Sequence, residues 1–297
     1  MNLKTTILLF IVFSLFFSSC EDVVQVELSD NNVGLYAVEA KITTDNNPYV
    51  YLYKSQLVSS DGQYPGVSGA KVVITDDSKP QKSIVLQESQ EIQGLYLPKQ
   101  GHFYWGESGK EYTLTITVGE VTMTATEFLA PVEPLDSIQV RPSLRGDYSF
   151  LGILTFGNEP SGMGNYYKWD IYINKKLLYP SDYLVIANDE LVDGNYIDGL
   201  EIFTDFHDPN KPEDRILNLG DTVQVKQNSI SKFAYNFYYQ MYNQGQSGGL
   251  FSVPTANIKG NFIASDGREV LGLFVAQDVS ASKNIVIDEA IESGLKK

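Results

Sequence analysis

Hydrophobic and polar positions alternate with a period of two over much of residues 35–130. In residues 35–42 and 49–53, every second side chain is apolar and falls on one side of an extended chain. Such alternation is typical of half-buried β-strands rich in aromatic and β-branched residues. Further strand-like segments follow between turns that contain Gly, Pro or Asp: 70–75, 82–87, 112–118 and 121–128. This pattern predicts an antiparallel β-sandwich over residues 35–130.

The proline-containing segment 131–134 marks the predicted boundary between two domains. Each proline fixes its own φ and restricts the preceding residue, so the segment is stiff and extended. Strand patterns resume at 135–140, 149–156, 166–174, 221–226, 261–264, 270–277 and 284–288. In segment 166–174 one apolar face is predicted to be buried: Tyr167, Trp169, Ile171 and Ile173. The chain is therefore predicted to be mainly β, with a second β-rich domain over residues 131–297.

One segment, residues 229–243, has helical periodicity instead. Its apolar side chains recur at steps of three and four: Ile230, Phe233, Ala234, Phe237, Tyr238 and Met241. Ser229 is the predicted N-cap, and Gly245 the predicted end of the helix. A second stripe lies beside the first, formed by Tyr235, Tyr239 and Tyr242. This wide aromatic surface indicates a helix that is wedged between two surfaces or that presents tyrosines to a partner.

The first 20 residues follow a third pattern, which concerns export. Lys4 precedes an apolar run over residues 7–17, and two serines then lead to Cys20. The run is shorter than the roughly 20 residues of a membrane-spanning helix, so it predicts a cleavable signal peptide. A signal that stops at a lone cysteine resembles a bacterial lipobox, although Phe17 stands where leucine is usual. We expect residues 1–19 to be removed and Cys20 to be acylated; the alternative is an ordinary signal with an incidental cysteine.

Residues 20–34 follow as a polar, acidic stretch that is predicted to tether the first domain to the membrane. Glu21 and Asp22, directly after Cys20, resemble the acidic export signal of Bacteroidetes-type surface lipoproteins. They predict a lipid anchor in the outer membrane with display at the cell surface. Display towards the periplasm is the alternative.

Charge and cysteine content exclude several classes of function. With 22 basic and 37 acidic residues, the formal net charge is −15. Binding to nucleic acid or anionic lipid needs a basic surface, so neither is expected. Acylation of the single cysteine would leave no thiol for a disulfide, a zinc–thiolate site or a nucleophile. No cofactor is predicted.

No catalytic residue is predicted either, because the chain has only two histidines, no G-x-S-x-G motif and no glycine-rich phosphate loop. Acidic residues cluster over residues 188–199 and 204–215. Asp189, Asp193 and Asp198 are weak candidates for calcium ligands, because they lack the spacing of a calcium loop and fit solvated loops. The same acids are the basis of an alternative function, carboxylate-dependent hydrolysis of glycans or peptides.

Aromatic residues are the remaining candidates for ligand or partner contact. The chain contains 19 tyrosines and two tryptophans. Tyr104 and Trp105 lie in a glycine-bounded segment, 101–106, where they contact a ligand or, alternatively, plug one end of the sandwich. Tyr235, Tyr239 and Tyr242 on the predicted helix form the second candidate group.

Several short motifs occur together in a recognisable order. They include the segments 38–43 and 69–76, Gly94-x-Tyr96, the segments 164–167 and 257–261, and 270–274, with the aromatic helix between them. Together they resemble the domain-of-unknown-function 4249 family of Bacteroidetes lipoproteins. The resemblance implies an immunoglobulin-like or transthyretin-like sandwich in the first half. It also implies an accessory or ligand-capturing role beside a TonB-dependent transporter; a structural or adhesion module is the third alternative.

Overall fold

The computed structural model describes residues 34–56, 64–145, 148–178, 183–204, 206–208, 211–245 and 258–293. The predictions for Cys20, Glu21 and Asp22 lie outside these residues. The strands of the first half are β1 (Tyr36–Thr43), β2 (Tyr49–Lys54), β3 (Lys71–Asp76), β4 (Ser83–Glu88), β5 (Leu95–Leu97), β6 (Glu111–Val118) and β7 (Val121–Phe128). Each predicted segment of this half forms a strand whose ends lie within one or two positions of the prediction, and β5 was not predicted.

The second half adds further strands and two helices. They are β8 (Ser137–Arg145), β9 (Tyr148–Asn158), β10 (Tyr166–Ile173), β11 (Lys176–Leu177), β12 (Val185–Asn188), β13 (Tyr196–Phe203), β14 (His207–Asp208), β15 (Lys211–Arg215), β16 (Thr222–Ser229), α1 (Lys232–Gly245), β17 (Ile263–Ala264), β18 (Val270–Gln277), β19 (Val279–Ala281), β20 (Ile285–Val286) and α2 (Glu289–Ser293). The predicted mainly β fold with a small aromatic helix is confirmed.

Nine strands form one sheet in the order β17-β7-β6-β3-β4-β5-β2-β1-β18. All neighbours are antiparallel except β1 and β18, which run parallel with Tyr36 opposite Val270. The sheet folds over upon itself, so that apolar residues from both halves meet in one core. Val38, Val50, Ile74 and Leu114 are among its fully buried side chains. The alternation predicted for β1 and β2 therefore gives the correct inward face.

A second core lies between two smaller sheets. The six-stranded sheet has the path β11-β10-β16-β19, with β12 also paired to β10 and β20 to β16; the other sheet is β13-β9-β8. Tyr167, Trp169 and Ile171 of β10 are buried in this core, as predicted, and Ile173 packs against it. The opposite face of β10 carries Lys168 and Asp170 and points away from the core.

The helix α1 begins later than the sequence predicts. Ser229 still belongs to β16, where its Oγ donates to the Ala130 carbonyl at 2.6 Å, so its prediction as the N-cap is wrong. Ser231 caps the helix instead, because its Oγ accepts the Ala234 N–H at 3.1 Å. Ile230 and Ala234 pack against β18, and Tyr235, Phe237 and Tyr238 pack around them. The helix is thus wedged between β18 and the β10–β12 edge, the first of the two predicted alternatives.

The division into domains at residues 131–134 stays a prediction. Residues 33–297 form one compact unit, and β18 from the second half returns to pair with β1 of the first. None of the helices in the described residues is long and apolar enough to span a membrane.

Candidate functional site

Helix α1 separates two cavities, and each is walled by a different set of its aromatic side chains. The first, here called the tyrosine groove, has a volume of about 390 Å³. It is lined by Tyr235, Tyr239 and Tyr242 together with residues of β12 and β13. The second, here called the inter-sheet cleft, has a volume of about 340 Å³ and is lined on the helix side by Phe237, Tyr238 and Met241.

This arrangement follows from helical spacing. Residues 235, 239 and 242 are separated by four and three positions, so their side chains share one face of the helix. Residues 237, 238 and 241 form the neighbouring face, which turns towards β1 and β18. The wide aromatic surface of α1 therefore faces a packed strand and two cavities. The helix is wedged, as described above, and presentation of its tyrosines to a partner stays a prediction.

The tyrosine groove is an aromatic platform that is open to solvent. The rings of Tyr235 and Tyr239 are stacked, with centroids 6.4 Å apart and planes 10° apart. Tyr166 of β10 contacts Tyr235 at a centroid distance of 5.2 Å. The Tyr239 side chain remains 52% exposed, and partial burial raises the pKa of Tyr235. The three tyrosines predicted as contact candidates thus line one groove.

The inter-sheet cleft lies between the outward faces of two sheets. One wall comes from β1, β2 and β18 and contributes Glu39, Lys41 and Tyr53. The facing wall comes from β10, whose outward face carries Lys168 and Asp170. Between them, Leu273 and Val275 of β18 provide apolar surface next to the helix. The cleft therefore combines aromatic and aliphatic walls with four charged side chains.

Asp170 has its partners within the protein. Its carboxylate pairs with the Lys168 ammonium group and also accepts a hydrogen bond from Asn228 Nδ2 at 3.1 Å. Next to it, Lys226 of β16 pairs with Asp45 at 2.6 Å. Lys168 and Lys226 are thus both neutralised by carboxylates.

Lys41 on the opposite wall is in a different situation. In the described part of the chain, no carboxylate or carbonyl hydrogen-bonds its ammonium group. Burial lowers the pKa of Lys41, and the charge of Lys168 across the cleft lowers it further, while Asp170, Glu39 and Asp45 act in the opposite direction. Loss of water around an ammonium group that has no direct partner disfavours its charged form.

Tyrosines of β2 extend the cleft along its outer wall. The Tyr49 hydroxyl donates to Glu39 Oε1 at 2.7 Å, which gives that carboxylate a partner. Tyr51 and Tyr53 lie 5.3 Å apart between ring centroids, and Tyr64 contacts Tyr53 at 5.5 Å. Burial raises the pKa of Tyr53, so this hydroxyl is neutral at physiological pH. The result is a strip of neutral aromatic rings that begins at the cleft.

Tyr104 and Trp105 lie elsewhere and do not line either cavity. The Tyr104 N–H donates to Asn47 Oδ1 at 2.7 Å, and its ring packs against the first core. Burial raises the pKa of Tyr104 to about 12. Trp105 is 56% exposed. Of the two predicted alternatives, Tyr104 fits the structural plug, whereas the Trp105 ring remains available for contact.

The acidic candidates hold a loop together. Asp189 is buried, and its carboxylate accepts the N–H groups of Gly164 and Asn165 at 2.9 and 3.1 Å. Asp193 accepts the Gly162 N–H at 2.6 Å, and Asp198 is exposed. Within the described ranges, no group of three or more His, Cys, Asp or Glu side chains is placed to hold a metal ion. The carboxylate oxygens that Asp189 and Asp193 would offer to a cation thus accept hydrogen bonds from backbone N–H groups.

The short family motifs also have structural roles. Gly94 has a φ of +78°, and a Cβ there would lie 2.3 Å from the Leu52 carbonyl oxygen, so only glycine fits. The Tyr96 hydroxyl donates to the Val67 carbonyl at 2.7 Å and accepts the Ala70 N–H at 2.9 Å. Asn165 and Tyr167 both donate to Glu159, whose burial raises its pKa. These four residues support the fold and line neither cavity, whereas the motif segments 38–43 and 270–274 contribute residues to the inter-sheet cleft.

Sequence reasoning missed the charged residues of the cleft. Lys41, Lys168 and Asp170 each occupy an outward position of a strand, where a polar residue is ordinary. The available signal was weak: Lys168 and Asp170 are the charged positions of an otherwise aromatic and aliphatic strand. Their proximity to Lys41 depends on how the two sheets are placed, which local periodicity does not contain.

Comparison with known proteins identifies the family and goes no further. A family model described as "Domain of unknown function (DUF4249)" matches residues 21–283, a range that includes the first core, α1 and all of the second core except its residues after position 283. A search of curated proteins found no match. The chain belongs to the family defined by the domain of unknown function DUF4249.

Proposed function

We propose that the protein is a non-catalytic, lipid-anchored protein of the outer membrane that captures a ligand for a TonB-dependent transporter. The observation that carries the proposal is the pair of cavities beside α1. Each is large enough for a small molecule and is lined by aromatic side chains, which offer flat apolar surface for stacking. Capture by shape and aromatic contact needs no cofactor.

The location rests on the sequence of residues 1–22. A signal peptide that stops at the lone Cys20 supports lipid attachment, and Glu21-Asp22 supports display at the cell surface. A single acyl chain anchors a protein only marginally, whereas two or more chains hold it firmly. The transporter partner follows from the family resemblance.

Hydrolysis has less support than capture. Among the described residues of the acidic loops, Asp189 and Asp193 accept backbone N–H groups and lie outside both cavities. The cleft carboxylates Glu39 and Asp170 are occupied by Tyr49 and by Lys168 and Asn228. A catalytic acid or base must reach the proton it transfers, and these groups already have partners.

The proposal is tested by affinity purification from native outer membranes. The tagged chain should co-purify with a TonB-dependent transporter, and the Cys20→Ser variant should lose acylation, the outer-membrane location and the transporter together. Ser18→Ala keeps the cysteine and should behave like the wild type. Recovery of the wild-type protein without any transporter, at full yield, would contradict the proposed partnership.

Other outcomes would identify the alternatives. Turnover of a glycan or peptide library, abolished by a single acid substitution within residues 189–214, would establish the hydrolase. Binding to cell surfaces in the absence of any transporter would establish an adhesion module.

A further inference from the structure

We propose that the inter-sheet cleft binds small ligands in which an anionic group is joined to a flat apolar body, and that Lys41 holds the anionic group. This inference deepens the proposed ligand capture and rests on it. It names the chemical class of the ligand and the residue that selects it.

The lysines in and beside the cleft are not equally paired. Lys168 pairs with Asp170, and Lys226 pairs with Asp45. Lys41 faces the same space, yet the residues that the structure describes give its ammonium group no hydrogen-bond acceptor. An anionic ligand group would supply this missing partner with a charge-assisted hydrogen bond.

The ammonium group of Lys41 faces a cavity with largely apolar walls. Apolar and aromatic side chains from α1 and β18 line the same cavity as the half-buried Lys41, and they limit the water around it. Electrostatic attraction is stronger where water is excluded, so one cation in this cleft attracts an anion more than an exposed lysine does.

The apolar walls of the cleft fit the rest of the ligand. Phe237, Tyr238 and Met241 on one side and Leu273 and Val275 on the other form an apolar slot beside Lys41. The volume of about 340 Å³ suits a molecule of two or three rings. The neutral hydroxyl of Tyr53 and the Tyr49–Glu39 pair lie on the outer wall and leave Lys41 as the cation without a direct partner. Shape and charge thus indicate an aromatic or otherwise planar anion.

Two fluorescent probes that differ by a single anionic group separate the contribution of that group to binding from the contribution of the apolar body. They are 8-anilinonaphthalene-1-sulfonate and its neutral analogue N-phenyl-1-naphthylamine, and the sulfonate stands for the anionic group of the ligand. The chain has two tryptophans, and Trp169 borders the cleft. In the full-length chain with Trp105→Phe, energy transfer from Trp169 reports a probe bound near β10, and the Lys41 variants assign that probe to the cleft.

In this background we expect the sulfonate probe to bind more tightly than the neutral probe. Lys41→Met, which keeps an unbranched side chain one atom shorter, should weaken sulfonate binding about tenfold, the effect of losing one hydrogen bond to a charged group. Binding of the neutral probe should not change. Lys71→Met is the matched control, because Lys71 is an exposed strand lysine outside both cavities.

Three results would overturn the inference: equal binding of the two probes by the wild type, unchanged sulfonate binding by Lys41→Met, or an equal loss of both probes. Lys41→Arg keeps the positive charge and should retain most of the preference, which distinguishes a charge effect from a change of shape. Failure of these tests would leave the transporter experiment unaffected, because that experiment depends on Cys20 and on co-purification.

Discussion

Asn261 pairs with the backbone of Phe274 through both groups of its side-chain amide. Its Nδ2 donates to the Phe274 carbonyl at 2.7 Å, and its Oδ1 accepts the Phe274 N–H at 3.0 Å. The same Nδ2 donates to Glu127 Oε1 at 3.0 Å. Because Glu127 belongs to β7 and Phe274 to β18, one side chain connects two strands near opposite ends of the nine-stranded sheet.

Replacement of Asn261 should therefore destabilise the first core. Asn261→Ala would leave the Phe274 N–H and carbonyl and the Glu127 carboxylate without this partner. An unsatisfied buried polar group costs about 1–3 kcal/mol, so a loss of about 3 kcal/mol is expected. Urea unfolding followed by circular dichroism measures it.

The matched control is Asn284→Ala, an exposed residue for which a change within about 0.5 kcal/mol is expected. Equal stability of the two variants would show that the amide pairing contributes nothing.

Glu127 should make the stability of the protein depend on pH. Burial raises the pKa of Glu127, while hydrogen bonds from Ser231 and Asn261 lower it in part. The folded state therefore retains a proton that the unfolded state loses near the ordinary value of 4.5. Unfolding free energy should fall as pH rises from 4.5 through the folded-state pKa, and the loss should be complete above that pKa.

Glu127→Gln carries no titratable group and should lack this dependence. Relative to the wild type, the variant should gain stability between pH 4 and pH 7. Glu120→Gln, at an exposed position, should show no such gain. A pH-independent difference between Glu127→Gln and the wild type would show that Glu127 is not responsible.

Burial along the strands was predictable from the sequence, because side chains alternate with a fixed period. Val38 and Ile42 of β1 and Trp169 of β10 are buried as that period predicts. The parallel pairing of β1 with β18 was not predictable in this way. Tyr36 and Val270 lie far apart in the chain, and a local pattern contains no information about the partner strand.

The candidate site was predictable to a similar extent. Helical spacing placed Tyr235, Tyr239 and Tyr242 on one face, and the structure brings them into one groove. The cleft could not be predicted from residue spacing, since Lys41 and Lys168 come together only through the placement of two sheets. The N-cap, Ser231, lies two residues after the predicted one, because β16 continues through Ser229.

The buried carboxylate of Asp189 should stabilise the protein without calcium. Asp189→Ala would leave the Gly164 and Asn165 N–H groups without their acceptor, which should cost about 2 kcal/mol. Asp198→Ala, at an exposed position of the same acidic stretch, should cost less than about 0.5 kcal/mol. Thermal unfolding measures both.

The same experiment, repeated with millimolar calcium chloride, decides the calcium alternative. No change in the wild-type Tm is expected, because the carboxylate oxygens already accept backbone hydrogen bonds. A rise in the wild-type Tm that Asp189→Ala abolishes would restore Asp189 as a calcium ligand.

Lys41 should reduce the stability of the ligand-free protein. The ammonium group lies opposite Lys168 and has Asp170, Glu39 and Asp45 only at longer range, and burial lowers its pKa. Lys41→Met removes the buried charge and keeps the packing of the side-chain stem. The variant should therefore be more stable than the wild type at pH 7 by urea unfolding, whereas Lys71→Met should leave stability unchanged.

The gain from Lys41→Met should also shrink as pH rises. Because the folded-state pKa of Lys41 lies below its ordinary value of 10.5, the unfolded chain binds more protons between these two values. The unfolding free energy of the wild type therefore increases with pH over this interval. The destabilisation that Lys41 causes is complete below the folded-state pKa and disappears as the pH rises towards 10.5. Tyrosines of the cleft, including Tyr53, titrate nearby, but they are common to both proteins and cancel in the difference. A gain that is the same at pH 7 and at pH 10 would show that the charge of Lys41 is not its cause.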